Sequence, residues 1–345
     1  MEVLLMSKVY FKKVTDKSEE KLSKAARELL EVLVKNENHT WEKTVPMKVH
    51  FGEKGNTTYI KPACYKDVIE YMGENQIESA YIETNVLYRG SRTTRDSHIE
   101  LAKEHGFTQL PIIIADGDHG EAYDEIQIDK EYFSTCKIGT EFSKYNQFLV
   151  MAHFKGHGSA GFGGAMKQLA MGFAARGGKL AQHSGISPKV IEKKCISCGL
   201  CVKKCDVEAI EMKEKAFIHS EKCVGCAGCI AVCPVGAIVN DWSEVNFKEK
   251  LAEYAYAAQK DKDNVYITYL INITKECDCM GQHMDEVASD IGVFISKDPV
   301  AIDAACIDML QNQSEDKLFD DGRESIEHAV KIGFGSKDYE LIELQ

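Results

Sequence analysis

Residues 148–167 read FLVMAHFKGHGSAGFGGAMK: an apolar run, then His153, Lys155 and His157 among five glycines, then the start of a helical pattern. A short apolar run that stops at turn residues is what a strand buried on both faces looks like, and MKQLAMGFAARGG (166–178) behind it has helical spacing. Strand, glycine turn and helix in that order are the unit of an α/β sheet. The turn is not a Walker phosphate loop, which needs glycine before the lysine and a hydroxyl after it, because Met166 and Gln168 flank Lys167. The expectation is a helix whose N-terminus offers free amides to an anion, with Lys167 in its first turn. His153 and His157 are either metal ligands or hydrogen-bonded histidines in a crowded turn.

The same alternation continues outward. Strands are expected at KVYFKKV (8–14), MKVHFG (47–52), SAYIETNV (79–86) and LPIIIAD (110–116), and helices at SEEKLSKAARELLEVLVKN (18–36) and YKDVIEYMGEN (65–75). Nearer the C-terminus the pattern resumes with a helix at FKEKLAEYAYAAQ (247–259), strands at NVYITYLINIT (264–274) and DIGVFIS (290–296), and a helix at PVAIDAACIDMLQ (299–311). The fold class is therefore α/β, a mostly parallel sheet with helices on both faces. In KDPVAID, Asp298 reads as a helix cap and Asp303 as a local hydrogen-bonding residue.

Between the two halves lie CISCGLCVKKCD (195–206) and CVGCAGCIAVCP (223–234), each with the spacing C-x2-C-x2-C-x3-C of a bacterial-type two-cluster ferredoxin. Three thiolates on one tight loop can hold three iron corners of a cubane, while the fourth cysteine of each run points to the other cluster. One 4Fe-4S cluster is then expected on Cys195, Cys198, Cys201 and Cys233, and the second on Cys223, Cys226, Cys229 and Cys205. Paired cysteines also build zinc ribbons, the competing reading. The endings DVEAIEM and PVGAIVN read as strands of an internal repeat. The expected organisation is an α/β domain over 1–188 and 241–345, interrupted by an α+β ferredoxin-like insert over 189–240.

In open α/β sheets ligands bind beyond the carboxyl ends of the strands. Those ends carry Lys48 and His50, then Arg89, Arg92 and Arg95, then Asp116, Asp118 and His119, then the opening stretch. Arg92, Arg95, Lys48 and His50 are candidates to bind an anionic substrate, and His157, Lys167 and His183 are candidate catalytic residues. A further constellation, ECDCMGQHMDE, holds Cys277, Cys279 and His283. Residues two apart in extended chain face the same way, so the two thiols could serve an additional metal ion, a redox step between clusters and substrate, or packing alone. Cys64, Cys136 and Cys306 are isolated and read as small core residues.

With 345 residues, 44% of them hydrophobic and 28% charged, the chain can bury a large core. Its net charge of −12, without a cationic stripe, disfavours nucleic acid. No apolar run reaches the roughly 20 residues of a membrane span, and MEVLLMSKVYFKKV lacks the parts of a signal peptide, so a cytoplasmic location is expected. Thirteen cysteines in such a chain argue for metal rather than a disulfide scaffold.

The cysteine segment following AGFGGAMK, with KVHFGEKGN and YRGSRTTRDSH upstream and CDC and DIGVFISKDPVAIDAA downstream, resembles the iron-sulfur family called domain of unknown function 362 over essentially the whole chain. A more distant resemblance is to the nickel-pincer lactate racemase family. That family has an early arginine loop, a histidine, a glycine-rich turn, a lysine holding the organic nickel cofactor and a downstream nickel-ligand histidine. SRTTR (91–95), His157, Lys167 and His183 stand in that order, but Ala115 precedes Asp116 where that family has a catalytic histidine. The resemblance implies a substrate cleft rather than the nickel cofactor. The expected function is a low-potential oxidoreductase passing electrons between two 4Fe-4S clusters and an anionic small molecule or metal centre. A ferredoxin-like electron carrier serving a redox partner protein, and a metal-cofactor isomerase, are the alternatives.

Overall fold

The run Leu149–His153 forms a strand with every residue buried, and its side chains alternate between two cores. Leu149 and Met151 join one apolar cluster, Val150 and Ala152 the other, as the two-residue period of a strand requires. The structure is a computed structural model and describes residues 6–88, 90–183, 187–205, 208–220, 222–223, 228–239, 246–313 and 317–345.

Among these residues the main sheet has eight strands: β1 (Ser7–Lys13), β2 (Met47–Lys48), β3 (Tyr81–Glu83), β4 (Ile112–Ile114), β5 (Leu149–His153), β6 (Val265–Leu270), β7 (Gly292–Ser296) and β8 (Tyr339–Leu344). They lie in the order β8-β1-β7-β6-β5-β2-β3-β4. From β6 to β4 all pairs are parallel, as is β1 with β8, and only β7 runs against its two neighbours. The carboxyl ends of β2 to β6 therefore share one edge of the sheet.

Helices cover both faces. One core takes Leu22, Leu29 and Leu33 of α1 (Glu19–Asn36), Val68 and Met72 of α2 (Lys66–Glu74) and Ala102 of α3 (Arg95–Glu104). The other takes Leu169 and Phe173 of α4 (Ala165–Phe173), Ala181 of α5 (Arg176–His183), Leu251 of α6 (Phe247–Gln259), Ile302 of α7 (Pro299–Gln311) and Ile326 of α8 (Arg323–Lys331). No helix among the described residues is long and apolar enough to cross a membrane.

One buried carboxylate ties α6 to a distant turn. Glu253 has no exposed surface, and its two oxygens accept the backbone amides of Glu131, Tyr132 and Phe133 at 2.9–3.1 Å, with His328 Nε2 at 3.2 Å. Glu253→Ala strands these donors, and a drop of about 3 kcal/mol is expected from bonds to a charged group. It would be read as a lower urea midpoint at unchanged slope; a drop under about 1 kcal/mol would mean the turn holds without it.

The opening stretch folds as a hairpin, Lys155–His157 against Gly161–Gly163, before α4 begins. Residues 156–161, GHGSAG, carry the spacing G-x-G-x-x-G, yet they form the arms and tip of this hairpin rather than a strand-to-helix crossing. The glycines serve close packing: a Cβ on Gly156 would run into the Lys275 carbonyl, and Gly161, at φ +78°, lies against the Gly322 backbone.

Three expectations are corrected here. The amides at the start of α4 are not free, because Asp303 of α7 accepts from Ala165 N at 2.7 Å and Met166 N at 2.9 Å. Asp303 is thus a long-range cap, not a local one, and Gly164 leaves room for it. Asp298 does cap its own helix, accepting from Val300 and Ala301 at 2.8 and 3.1 Å. The helix expected over 166–178 divides at Ala174, whose extended backbone ends α4 before α5 starts.

Between α5 and α6 the chain leaves the sheet for two cysteine loops, each followed by a short helix, Leu200–Lys204 and Gly228–Ala231. Lys189–Val190 pairs with Ile238–Val239, and Ile210–Met212 with Ala216–Ile218. The repeat shows in its hydrogen bonds: Ala209 N donates to Cys205 Sγ and Ala237 N to Cys233 Sγ, each at 3.2 Å. Cys226 and Arg89 lie outside the described residues.

Candidate functional site

A cavity of about 1740 Å³ opens at the carboxyl edge of the sheet. Its walls bring His50 and Arg92 together with His157, Lys167 and His183 of a distant stretch of the sequence. Cys277 and Cys279 also line it, as does Cys233 from the second cysteine loop. Lys48, Arg95 and His283 are not among its walls.

The cations split into those already paired and those that are not. Lys48 is buried with its Nζ 2.9 Å from Glu83 Oε1, so β2 and β3 neutralise each other where they end. Arg92 is 1% exposed; its Nε lies 3.2 Å from Glu53 Oε2, its Nη1 3.0 Å from His50 Nε2, and its Nη2 donates to the Tyr88 hydroxyl. Arg95 opens α3 on the surface, paired with exposed Asp118 at 3.1 Å. Burial, with the Arg92 charge second, holds His50 well below the usual histidine range.

At the end of β5, His153 Nδ1 stands 2.9 Å from Asp278 Oδ2 and Nε2 stands 2.8 Å from the Ile271 carbonyl. Both partners are acceptors, so the ring satisfies both only with a proton on each nitrogen. Lys155 Nζ reaches the same Asp278 oxygen at 3.0 Å and the His153 carbonyl at 2.9 Å. Burial would raise the Asp278 carboxyl, but the His153 and Lys155 charges outweigh it and hold it well below the carboxylate range. Its other oxygen, Oδ1, is buried with no hydrogen-bond partner among the described residues.

No hydrogen bond or ion pair joins the Lys167 amine to a described residue, and its side chain reaches the cavity from the first turn of α4. Burial first, then the Lys155 charge, push it down to about 7. His157 Nδ1 accepts the Ser159 and Ala160 amides at 3.2 and 3.1 Å, which leaves the proton on Nε2. His157 and His183 both stack on Phe247, at ring separations of 6.5 and 4.5 Å. Burial and the neighbouring cations keep both rings neutral, His183 at about 4.

Sequence reasoning passed over Phe247, Lys155 and Lys179, and gave Asp278 no role. Lys179 is buried on α5, with Nζ 2.6 Å from Thr84 Oγ1 and from the Ala174 carbonyl.

Cys277 and Cys279 are joined to each other as a disulfide. In that state they present no thiolate to a metal, and His283 is exposed with Nδ1 2.8 Å from Thr57 Oγ1. Among the described residues no three His, Cys, Asp or Glu side chains stand together as a single-ion site. The cysteine loops form a second, small cavity lined by Cys195, Cys198, Cys201 and Cys233. Cys233 thus borders both cavities.

Residues 45–308 match the family model described as Domain of unknown function (DUF362). No curated protein matches the sequence. Among solved structures, the lactate racemase apoprotein from Thermoanaerobacterium thermosaccharolyticum superposes with TM-score 0.40 at 14% identity, over 77% of this chain and 51% of that one. A protein from Thermotoga maritima does so with TM-score 0.40 at 10% identity, over 92% of this chain and 60% of that one. The chain spans about half to three fifths of their lengths, and both lie below the TM-score at which a shared fold follows.

Proposed function

The chain belongs to the family described as Domain of unknown function (DUF362), and from the placement of its own side chains we propose that it is an iron-sulfur oxidoreductase acting on an anionic small molecule or a metal centre in the cleft. Residues 189–240 form the ferredoxin-like insert of this reading, with 1–188 and 241–345 as the α/β body. Cys195, Cys198, Cys201 and Cys233 would hold one 4Fe-4S cluster; Cys223, Cys226, Cys229 and Cys205 would hold the other. When bound, the clusters supply one-electron transfer.

The observation that carries this reading is Cys233, which borders both the small cysteine cavity and the large polar cleft. The four cysteines lining the small cavity are the crossed set that the spacing requires, three from one loop and the last from the other. The amides that Ala209 and Ala237 donate to Cys205 and Cys233 suit sulfurs that carry negative charge. In the cleft, Lys167, whose amine has no partner among the described residues, would meet the anion, with Lys155 beside it. His157, fixed by two amides, would donate from Nε2, and Lys167 in its neutral form would accept a proton.

A redox partner protein has its own support. Ile196, Leu200, Met212 and Val235 are exposed apolar side chains around the small cavity, a surface suited to docking. If the chain is only a carrier for such a partner, alanine at His157, Lys167 and His183 leaves electron delivery unchanged.

Anaerobically purified protein is expected to hold about eight irons with matching sulfide, and Cys198→Ser about four. Zinc without labile sulfide would end the proposal.

A further inference from the structure

A disulfide stabilises mainly by restricting the unfolded chain, and more so for longer loops. The Cys277–Cys279 bridge encloses a single residue, so stability does not account for it. Its surroundings suit opening and closing. Between the two cysteines, Asp278 is 1% exposed and gripped by His153 and Lys155, while its carbonyl accepts the Glu53 amide at 3.0 Å. The backbone is therefore held whether or not the sulfurs are bonded. Cys277 is 5% exposed and Cys279 half-buried, and both stand on the cavity wall, so the cleft gives small molecules access to the bridge. Lys155, Lys167 and Arg92 line the same cavity, and cations nearby favour the thiolates that reduction releases.

We propose that Cys277 and Cys279 are a reversible dithiol/disulfide couple, the two-electron acceptor of the cleft, reduced by a one-electron iron-sulfur donor in the neighbouring cysteine repeat. The identity of that donor rests on the function proposed above; the couple itself does not. Two electrons, arriving singly, break the S–S bond, and two protons from the cleft complete two thiols. Loss of two electrons and two protons to an oxidant such as an organic disulfide remakes the bond. One-electron delivery is thereby matched to two-electron chemistry at the Lys167 side of the cavity.

The full-length protein, purified anaerobically, is equilibrated across ratios of reduced to oxidised dithiothreitol, quenched in acid and alkylated, and the peptide containing Cys277 and Cys279 is weighed. Both cysteines should gain the label together as the ratio rises and lose it on return to the oxidised reagent. A peptide that carries no label at any ratio, or two labels at every ratio, overturns the proposal. In a second arm, reduced methyl viologen is the donor, and iron is measured on the same sample. Opening of the bridge should be at least tenfold slower in Cys198→Ser, with Cys223→Ser repeating the test should the first variant not fold. Equal rates would overturn the iron-sulfur donor, and absence of iron would overturn the proposed function, while the dithiothreitol arm still decides the couple.

Discussion

Asp278→Ala is expected to lower stability by about 3–5 kcal/mol, the usual cost of removing one partner from a buried ion pair. The carboxylate stands against two cations, His153 Nδ1 at 2.9 Å and Lys155 Nζ at 3.0 Å, all of them buried. Without it the Lys155 ammonium stays in the interior with no counter-charge and His153 Nδ1 loses its acceptor. Lys155→Met in the same chain should recover part of the loss, since apolar replacement of a whole buried pair is often close to neutral. The pH dependence has a definite sign. The folded carboxyl lies well below the unfolded value of 3.8, so its contribution is present above about pH 4 and is lost as pH falls below that. Urea midpoints of the two single variants and the double variant, at pH 7 and pH 3, test both claims. Additive losses, or equal losses at the two pH values, would show that the triad is not a coupled ionic unit.

Asp278 also shows where the sequence stops being informative. Apolar runs located the buried strands β1 to β7, because a two-sided sheet leaves a continuous hydrophobic signal in each. The end of a strand is equally visible, so His50, Arg92, His157 and Lys167 could be picked as neighbours of one cleft. What a linear reading lacks is the partner of each charge. Lys48 and Arg92 look like free anion binders until the fold sets Glu83 and Glu53 against them. His153 meets an aspartate 125 residues away, and the start of α4 meets Asp303 from 138 residues away. Short or amphipathic elements such as α3 and β8 were missed for another reason: α3 has only a weak apolar face, and β8 is an exposed edge strand.

Lys167→Met is expected to raise stability at pH 7 by roughly 2–4 kcal/mol and to remove a slope that the unaltered protein shows in alkali. Burial, with Lys155 next, moves the folded amine down to about 7 from an unfolded value of 10.5. Between these values the unfolded chain binds more protons than the folded one, so stability rises with pH from about 7 to about 10.5 and is level outside that window. The full shift would correspond to about 5 kcal/mol at 1.36 kcal/mol per unit; water in the open cavity screens part of it. Lys179, lowered to about 8, and Asp303, raised to about 7, titrate as well, but both remain in the variant, so the difference between the two proteins isolates Lys167. Its neighbours His157, His183, Arg92, Glu83 and Asp278 also remain. Reductive methylation with carbon-13 formaldehyde should give one lysine resonance titrating near 7 that is missing from the variant. A methionine that costs stability, or leaves the alkaline slope in place, would mean the amine is paired and charged in the folded protein. A methionine that stabilises would mean that the fold tolerates an unpaired amine in the cleft against its own stability, as a base poised near neutral pH requires.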